Sequence, residues 1–494
     1  MYYPEFNEFK KLATKGNLIP VYREIYGDIE TPVSAFSKIN DNKYSFLFES
    51  IEGGEKWARF SFLGSSPKLI FRSKGKLAEI IKDGQVRKCT FKNDPLDIVK
   101  EILSEFKPVK VSGLPRFTGG AVGFIGYDFV RFFEKIGDHS KDVLSVYDAI
   151  FMLMDTIVVF DNLSHKIKVV ANAYVKNLSD ASKAYQDAKK KIERIIKKLR
   201  SGKIDKRKKR RMISQIKPVS NMKKEVFEEI VRRAKKYIRA GDIIQVVLSQ
   251  RLSCTFKGNP FNVYRALRVI NPSPYMYYLK LGDIALVGSS PEILVRVERG
   301  NIELRPIAGT RRRGKDEKED RKLEKELLSD PKECAEHIML VDLGRNDVGR
   351  VAKKSTVEVN ELMTIERYSH VMHIVSNVRG KLKKNKDVFD VIRACFPAGT
   401  VSGAPKVRAM EIIEELESEK RGPYAGAVGY FSFSGNMDTC ITIRTLLFKD
   451  NKVYVQGGAG IVADSVPERE YTETMNKMKA MFEALKVSSE FDYE

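Results

Sequence analysis

Apolar residues in the first part of the chain occur in short runs of strand length. Two of these runs are residues 44–50 and 149–154, which predict buried strands. Residues 158–170 contain two apolar stretches separated by a polar turn, which predicts a hairpin. Glycines punctuate residues 119–127, a pattern typical of a strand that packs closely against other backbone. Residues 18–175 are therefore predicted to form mainly strands and turns.

The periodicity changes near residue 179. Residues 179–200 carry a charged helical pattern, and the basic segment 201–217 is predicted to be a linker. Apolar residues then recur at helical spacing from 222 to 237, and Gly241 is expected to end that helix. The predicted segments of the chain are 1–178, 179–219 and 220–494.

Hairpin signals dominate the third segment. Tight turns at Gly282-Asp283 and Gly300-Asn301 predict one antiparallel meander rather than a series of βαβ units. Its predicted strands are 243–252, 275–281, 284–287, 293–298 and 302–306. The predicted elements after the meander are helices 321–328 and 332–343, strands 427–433, 439–448 and 452–456, and a terminal helix. Ser465 and Glu468 have the spacing of a capping box that opens this helix. Helices and antiparallel strands in separate blocks indicate the α+β fold class.

Composition favours a soluble globular protein, because 43% of the 494 residues are hydrophobic and 31% are charged. No apolar run reaches the ~18 residues of a membrane-spanning helix, so no membrane partner is expected. Residues 1–17 lack the pattern of a secretory signal. Five cysteines without CxxC spacing argue against a zinc site or a disulfide framework, so a cytoplasmic location is expected.

The net charge of +23 is concentrated in residues 189–211. A basic protein binds nucleic acid or is simply kept in solution by its charge. Nucleic-acid arms interleave aromatic side chains for stacking, and this run has none. A solvated linker is therefore favoured, and nucleic acid is not an expected partner. The alternative class, a nucleic-acid-binding protein, predicts salt-sensitive retention on DNA or RNA.

Two glycine-rich segments look like nucleotide-binding loops but differ in detail. Residues 396–406 do not fit a Walker loop, because Pro405 precedes the lysine and the glycine spacing is wrong. Residues 458–463 fit G-x-G-x-x-A, but no second parallel strand with an acidic residue follows. Neither segment therefore predicts a nucleotide site.

Two helices carry acids three positions apart, and each pair lies on one helix face. The pairs are Glu333 with Glu336 and Glu470 with Glu473. Such carboxylates could hold Mg²⁺, which also accepts water and a substrate carboxylate. Spacing alone favours ordinary solvent-facing pairs. Arg444 lies in an otherwise uncharged strand, where its partner is either a substrate carboxylate or a structural ion pair.

Eight motifs occur along the second half of the chain. They are RPIAGTRRRG (305–314), KECAEHIMLVDLGRND (332–347), HVMHIVSNVRG (370–380), FPAGTVSGAPK (396–406), GPYAGAVGY (422–430), ITIRT (441–445), QGGAGIVADS (456–465) and EYTETMNK (470–477). In this order they resemble the anthranilate synthase component I group of the chorismate-utilising enzymes. The resemblance covers residues 220–494 and implies a large antiparallel sandwich with helices on the outside. Residues 1–178 match the regulatory N-terminal region more loosely.

The resemblance also implies roles for individual residues. Glu336 and Glu473 are implied to hold Mg²⁺, directly or through water, against the ring carboxylate of chorismate. Glu292 is implied to protonate the departing C4 hydroxyl, since a hydroxyl is a poor leaving group until it is protonated. His373 is implied to assist the later loss of pyruvate, with Thr400 beside it. The residues implied to bind chorismate are Gly309, Thr310, Tyr424, Arg444, Gly458, Ala459, Gly460 and Lys477.

Two positions indicate which nucleophile is used. Relatives that add water to chorismate carry a lysine where this chain has Gln245, and aminodeoxychorismate synthases typically carry a lysine where it has Ala308. With neither lysine present, the expected reaction is the addition of ammonia at C2, followed by pyruvate elimination to anthranilate. The alternatives are aminodeoxychorismate synthase component I and, less favoured, an isochorismate or salicylate synthase.

The resemblance further implies a partner and an inhibitor. None of the five cysteines lies in the glycine-rich elbow of a glutaminase, so ammonia is expected from a separate glutamine amidotransferase subunit. Relatives are inhibited by tryptophan at a site whose matching positions are Glu49, Ser50, Pro274, Tyr275 and Met276. The alternative for residues 271–274 is a plain turn, because related enzymes keep this segment without feedback inhibition.

Overall fold

The computed structural model describes residues 1–41, 43–51, 59–201, 216–368 and 371–492. Its helices are α1 Phe6–Ala13, α2 Pro32–Ile39, α3 Leu96–Ser104, α4 Ala181–Ser201, α5 Lys224–Arg239, α6 Pro260–Ile270, α7 Glu317–Ser329, α8 Pro331–Val351, α9 Val388–Cys395, α10 Gly399–Ser402, α11 Lys406–Leu416 and α12 Pro467–Val487. Short 3₁₀ helices are Tyr127–Phe132, Leu178–Asp180 and Ser488–Asp492. None of these described helices is both long and apolar enough to cross a membrane.

The described strands alternate with these helices along the chain. They are β1 Leu18–Tyr26, β2 Tyr44–Glu49, β3 Phe60–Ser65, β4 Leu69–Lys74, β5 Leu77–Lys82, β6 Gln85–Cys89, β7 Gly120–Ile125, β8 Ala149–Met154, β9 Thr156–Asp161, β10 Lys166–Tyr174, β11 Val219–Ser220, β12 Gln245–Thr255, β13 Tyr275–Leu281, β14 Ile284–Ser290, β15 Ile293–Glu298, β16 Asn301–Leu304, β17 Ile307–Arg312, β18 Glu358–Arg367, β19 Val371–Lys381, β20 Gly403–Ala404, β21 Ala427–Ser432, β22 Met437–Ile441, β23 Thr445–Lys449 and β24 Lys452–Ile461.

Within the described residues these strands form two 12-stranded antiparallel sheets. The first has the order β1-β10-β9-β3-β2-β13-β14-β23-β24-β12-β11, with β20 paired to β12. The second has the order β17-β19-β16-β15-β22-β21-β7-β8-β4-β5-β6, with β18 paired to β19. Both sheets contain strands from the first and the last part of the chain. The division into three segments stays a prediction, and most of the basic linker lies outside the described residues.

Apolar side chains explain the layering. Phe46 and Phe62 of the first sheet meet Phe124 and Met152 of the second in a buried cluster between the sheets. Two further clusters cover the outer faces, where helices such as α2, α4 and α12 pack on the first sheet and α3 and α9 on the second. Strands buried on both faces, such as β8, read as unbroken apolar runs for this reason. The predicted sandwich with outer helices is confirmed.

Several local predictions are also confirmed. Residues 44–50 and 149–154 supply β2 and β8, and residues 158–170 form the β9–β10 hairpin. The glycine-punctuated strand is β7. A Cβ on Gly123 would lie 1.8 Å from the carbonyl oxygen of Ile150, so only glycine allows β7 and β8 to approach this closely.

The predicted meander is wrong, because the chain changes sheets within it. The β13–β14 hairpin belongs to the first sheet and the β15–β16 hairpin to the second, and the crossing is at Pro291-Glu292. The predicted strand 439–448 is likewise two strands, β22 and β23, which lie in different sheets. Turn signals identify hairpins, but they do not indicate which of two facing sheets a hairpin joins.

The capping box at α12 is also wrong. Val466 is the N-cap residue, and no side chain caps the helix. The hydroxyl of Ser465 instead accepts the backbone N–H of Val462 at 3.1 Å, which stabilises the turn before the helix. The sequence has the spacing of a capping box, but the hydroxyl of Ser465 accepts its hydrogen bond from the turn and not from the helix.

Candidate active site

The two places where the chain changes sheets lie side by side. The backbone N–H of Ile441 donates to the carbonyl of Glu292 at 3.0 Å, and the N–H of Ser289 donates to the carbonyl of Arg444 at 3.1 Å. Arg444 itself has a φ of +51°, in the left-handed region, where β22 ends and β23 begins. These hydrogen bonds therefore bring an acidic and a basic residue from distant parts of the chain to one place between the sheets.

Glu292 is a buried acid with one side-chain donor. Only 4% of the residue is exposed to solvent. The hydroxyl of Thr400 donates a hydrogen bond of 2.8 Å to Oε1 of Glu292. Burial raises the pKa of Glu292 from 4.5 to about 8, against the opposing effects of Thr400, the backbone N–H of Ile307 and the charge of Lys477. The carboxyl group is therefore largely protonated at neutral pH and can donate a proton. It lines a cleft of about 370 Å³.

His373 lies on β19 and is held by its Nδ1 atom. Nδ1 is 2.8 Å from the carbonyl oxygen of Gly309 and 3.1 Å from the hydroxyl of Thr310. A carbonyl oxygen only accepts hydrogen bonds, so Nδ1 carries the proton and Nε2 carries the lone pair. Burial lowers the pKa of His373, which favours this neutral form. The imidazole can therefore act as a base through Nε2.

Thr400, which the resemblance places beside His373, has Glu292 as its hydrogen-bond partner. Thr400 lies on α10, within the signature loop 396–406, and its hydroxyl donates to Glu292. Lys406, at the end of that loop, donates to Asp347 at 2.6 Å. The loop lysine is thus engaged in a nearly buried ion pair. The loop supplies a partner for the acid, and its lysine has a structural role.

Carboxylates of α8 and α12 face each other near Gln245. Glu336 accepts a hydrogen bond of 3.0 Å from Gln245 Nε2. Burial raises the pKa of Glu336, and the negative charges of Glu333 and Glu473 raise it further. Glu473 is half-exposed and pairs with Lys477 at 2.7 Å. The two helices therefore bring predicted metal ligands together, and Glu336 is not an ordinary solvent-facing acid.

These acids fit a cation that needs few protein ligands. Among the described residues, no group of three or more His, Cys, Asp or Glu side chains is arranged to hold a metal ion. The negative charges of Glu333 and Glu473 nevertheless raise the pKa of Glu336 by repulsion, which a divalent cation would relieve. Mg²⁺ typically takes one or two carboxylates and completes its octahedron with water and substrate. The donor set suits Mg²⁺ better than a transition metal.

The glycines of β24 leave bare backbone beside these groups. A Cβ on Gly458 would lie 2.6 Å from the hydroxyl of Tyr424, and one on Gly460 would lie 2.5 Å from Gln245 Nε2. Lys477 Nζ donates to the carbonyl of Gly458 at 3.0 Å. Gly458 and Gly460 therefore lie in the site. The side chain of Ala459 packs in the outer core, so only its backbone is available.

Arg444 presents an unpaired charge. Within the described ranges its guanidinium makes no hydrogen bond or ion pair, although burial lowers its pKa and so disfavours its charge. Tyr424 and Glu473 are its nearest favourable electrostatic neighbours. The alternative of a structural ion pair is therefore not found in the described residues. A largely buried guanidinium that has no partner among the described residues is suited to a planar anion such as a carboxylate.

Gly309 and Thr310 complete the set of implied chorismate-binding residues. Gly309 has a φ of +64°, and a Cβ there would lie 3.2 Å from Glu333 Oε2. Its carbonyl holds His373, whereas Thr310 is exposed. The structure thus connects this glycine turn to both the histidine and the acids of α8.

A second pocket contains all five residues assigned to the inhibitor. Glu49, Ser50, Pro274, Tyr275 and Met276 line an opening of about 570 Å³ between β2, β13 and the second sheet. The carboxylate of Glu49 accepts hydrogen bonds from Arg268 and Tyr264, so it is engaged behind the pocket wall.

Sequence reasoning missed the charged floor of this pocket. Tyr275 donates to Asp438 at 2.9 Å, and Asp438 also pairs with Arg296 and Arg116. Reasoning from motifs missed these residues because they lie outside the eight motifs. A charged residue in an apolar strand, as Asp438 is in β22, was the available signal.

Comparison with known proteins agrees with this geometry. The model of the chorismate binding enzyme family matches residues 76–483. Anthranilate synthase component 1 of Acetivibrio thermocellus is 52% identical over 99% of this chain and all of its own length. The Aquifex aeolicus protein of the same name is 51% identical over 99% of this chain and 98% of its own.

Solved structures extend the comparison. Anthranilate synthase component I from Streptococcus pneumoniae is 40% identical, with a TM-score of 0.78 over 93% of this chain and 99% of its own. A menaquinone-specific isochorismate synthase from Escherichia coli is 20% identical, and the match covers 97% of this chain and 98% of its own. Its TM-score of 0.69 shows that the two proteins share the fold. The chain therefore belongs to the chorismate-binding enzymes, in the anthranilate synthase component I group, and is an enzyme of the lyase class.

Proposed function

We propose that the chain aminates chorismate at C2 with ammonia and then eliminates pyruvate to form anthranilate, the first step of tryptophan biosynthesis. The observation that carries the proposal is a buried acid, Glu292, whose pKa burial raises to about 8, at a sheet crossing adjacent to Arg444, which has no hydrogen bond or ion pair among the described residues. The glutamine and alanine at positions 245 and 308 support ammonia as the nucleophile, because neither can act as an amine base or nucleophile.

In the first step, the nitrogen lone pair of ammonia forms a bond to C2. The two ring double bonds shift, the C4–O bond breaks, and Glu292 supplies the proton that lets the hydroxyl leave as water. Thr400 keeps the acid oriented by its hydrogen bond to Oε1. Arg444 and the backbone of Gly458 and Gly460 orient the substrate carboxylates in a site of low dielectric.

In the second step, a base removes the proton from C2 and the enolpyruvyl oxygen leaves C3. The ring becomes aromatic, and the released enol becomes pyruvate. Nε2 of His373 carries the lone pair for this role because Nδ1 donates to Gly309. The balance is one chorismate and one ammonia consumed for one anthranilate, one pyruvate and one water.

Mg²⁺ is proposed as the cofactor, with Glu336 and Glu473 as the residues that would hold it. When bound, it would supply positive charge for the ring carboxylate. The charges of Glu333 and Lys477 adjust the affinity of this acidic site. Glu470 is buried nearby, and burial raises its pKa.

A glutamine amidotransferase subunit is the proposed source of ammonia, which agrees with the designation of the relatives as component 1. Tryptophan is the proposed inhibitor, bound in the pocket lined by Ser50, Pro274 and Met276. The five cysteines are all unpaired in the structure, which supports a reducing compartment such as the cytoplasm.

One assay tests the proposed reaction. The purified chain is incubated with chorismate, Mg²⁺ and ammonium chloride at alkaline pH, and products are followed by anthranilate fluorescence and chromatography. Anthranilate and pyruvate in equal amounts are expected. Isochorismate or aminodeoxychorismate as the main product would contradict the proposal. Omission of Mg²⁺ with added chelator should abolish the product.

A further inference from the structure

Arg421 is a charged residue that is only 2% exposed, one position before the motif 422–430. A buried charge is costly unless it is paired and hydrogen-bonded. Its Nε and Nη2 atoms donate to the carboxylate of Glu417 at 2.8 and 2.6 Å. Nη1 donates to the carbonyl of Val401 at 2.8 Å, and Nη2 also donates to the carbonyl of Val247 at 2.7 Å. The guanidinium therefore joins three separate parts of the chain.

The Arg421–Glu417 pair fills a gap along one edge of β12. On the edge opposite β24, β20 pairs with the start of β12 and β11 pairs with residues near its end. Between them no described strand runs along this edge. There the carbonyl of Val247 accepts from Arg421, and the N–H of Ser249 donates to Glu417 Oε1 at 2.8 Å. The ion pair takes the place of a strand, so the sheet fixes where it lies.

The third acceptor lies on the short helix α10 of the signature loop. Val401 is a residue of this helix, which has only four residues and no side-chain cap at its start. So short a helix is not stable by itself, and its orientation depends on tertiary contacts. Thr400, the neighbour of Val401, donates to Glu292. Arg421 thus connects β12 to the helix that carries the partner of the acid.

Aromatic rings and hydrogen bonds together restrict the guanidinium to one orientation. Arg421 lies over the ring of Tyr127 at 4.7 Å and over the ring of Tyr424 at 5.7 Å. A planar guanidinium stacks on such rings and donates through a fork of fixed geometry. A lysine would keep the charge but would lose both the fork and the planar face.

Arg421 does not act on Glu292 directly. Besides burial, the described groups that shift the pKa of Glu292 are Thr400, the backbone N–H of Ile307 and the charge of Lys477. Arg421 is not among them. A change at Arg421 therefore reaches the acid through the helix that carries Thr400.

We propose that Arg421 is a positioning residue for the reaction, because its guanidinium holds α10 against β12 and so keeps the hydroxyl of Thr400 on the carboxyl group of Glu292. This inference rests on the proposed function, in which Glu292 is the acid. Without the fork, α10 is free to move and the Thr400–Glu292 hydrogen bond weakens. The carboxyl group then loses the donor that orients it and that favours its charged form.

Arg421→Lys tests the role, with Arg131→Lys as the matched control. Arg131 is also largely buried and pairs at 2.6 Å with Glu414, one turn before Glu417. Its other partners lie within residues 128–140 and not on α10 or β12. The measurements are kcat and KM for chorismate across the pH range, together with the melting temperature.

Arg421→Lys should lower kcat about tenfold, the scale of one lost hydrogen bond, and change the KM for chorismate less. The alkaline limit of kcat should move to higher pH. Arg131→Lys should keep both kcat and the limit, even where its melting temperature falls as far. An unchanged limit in a folded Arg421→Lys would overturn the inference, as would an equal shift in Arg131→Lys.

A double variant measures whether Arg421 and Thr400 act together. Thr400→Val alone should move the alkaline limit to higher pH, and adding Arg421→Lys should move it little further, because both changes remove the same hydrogen bond. Two shifts that simply add would mean that Arg421 acts by another route and would overturn the inference.

A second replacement decides the matter if Arg421→Lys does not fold. Arg421→Met combined with Glu417→Met removes both charges, and replacing a whole buried ion pair by apolar side chains is often neutral for stability. The double variant should fold and show the lower kcat and the shifted alkaline limit. A normal kcat in this variant would exclude Arg421 as a positioning residue.

The design separates this inference from the proposed function. If the unmodified chain forms no anthranilate from chorismate and ammonium, the proposed function fails and the role of Arg421 fails with it. If the unmodified chain is active and the Arg421 variants keep its kcat and alkaline limit, only the role of Arg421 fails.

Discussion

Thr400 donates a 2.8 Å hydrogen bond to Glu292, and the two residues are 108 positions apart in the chain. Thr400 lies on the short helix α10, whereas Glu292 lies where the chain passes from the first sheet to the second. The bond therefore joins the signature loop to a crossing between sheets. It opposes the burial that raises the pKa of Glu292 to about 8. The pair sets the pH range in which the acid keeps its proton.

Thr400→Val should move the alkaline limit of activity to higher pH. The hydrogen bond favours the charged carboxylate, so its loss raises the pKa of Glu292 further. Because Glu292 must be protonated to act as the acid, it then stays active up to a higher pH. The measurement is kcat/KM for chorismate across the pH range, with the exposed Thr472→Val as control. A shift towards lower pH would contradict the role of Glu292 as the acid.

Glu292→Gln should lower kcat by roughly 10² to 10⁴-fold, the contribution expected of a general acid. It should also change how stability depends on pH. Between pH 4.5 and about 8 the folded chain retains a proton that the unfolded chain has lost. The free energy of unfolding of the unmodified chain therefore falls as pH rises, by at most about 1.4 kcal/mol per pH unit from this group.

Glutamine does not titrate, so the melting temperature of Glu292→Gln relative to the unmodified chain should increase from pH 5 towards pH 8. Thermal unfolding followed by circular dichroism at several pH values measures this. A constant difference across the range would mean that Glu292 is ionised in the folded protein.

Glu473→Gln should abolish Mg²⁺-dependent activity without unfolding the chain. The Glu473–Lys477 pair is half-exposed, so its loss has little effect on stability. Titration of Mg²⁺ by calorimetry with chorismate present should show weaker binding. Glu468→Gln, on the same helix and exposed, is the control and should bind Mg²⁺ normally. Near-normal turnover of Glu473→Gln would exclude it as a metal ligand.

Arg444→Gln should raise the KM for chorismate by about 10 to 100-fold, as expected for a lost hydrogen bond to a charged group. The guanidinium has no partner among the described residues, so its removal leaves no protein carboxylate unpaired. The melting temperature should therefore not fall. A large loss of stability with unchanged KM would indicate a structural arginine. Arg345→Gln, on the exposed face of α8, is the control.

Ser50→Phe should raise the tryptophan concentration needed for inhibition and leave activity intact. The larger side chain would occupy part of the pocket that Ser50 lines, away from Glu292 and Arg444. Inhibition curves at fixed chorismate measure the effect. Ser104→Phe, at the exposed end of α3, is the control. Equal inhibition of both variants would exclude Ser50 from the inhibitor site.

Much of the local structure could be predicted from the sequence. Apolar runs and turn residues located β2, β8 and the β9–β10 hairpin, because burial and turn chemistry act over a few neighbouring residues. The ordered motifs identified the family for a similar reason, since each motif is a continuous stretch of chain. The pairs of acids on α8 and α12 were also visible from their spacing.

The tertiary structure decided which of these pieces meet. The sequence contains no glycine or proline at Thr442-Ile443-Arg444 that would mark the break between β22 and β23, so the crossing was read as one strand. Arg444 lies at that crossing, and Glu292, which accepts the hydrogen bond of Thr400, lies at the other one, between β14 and β15. Contacts across hundreds of positions arise from the packing of two sheets, and local periodicity carries no information about it.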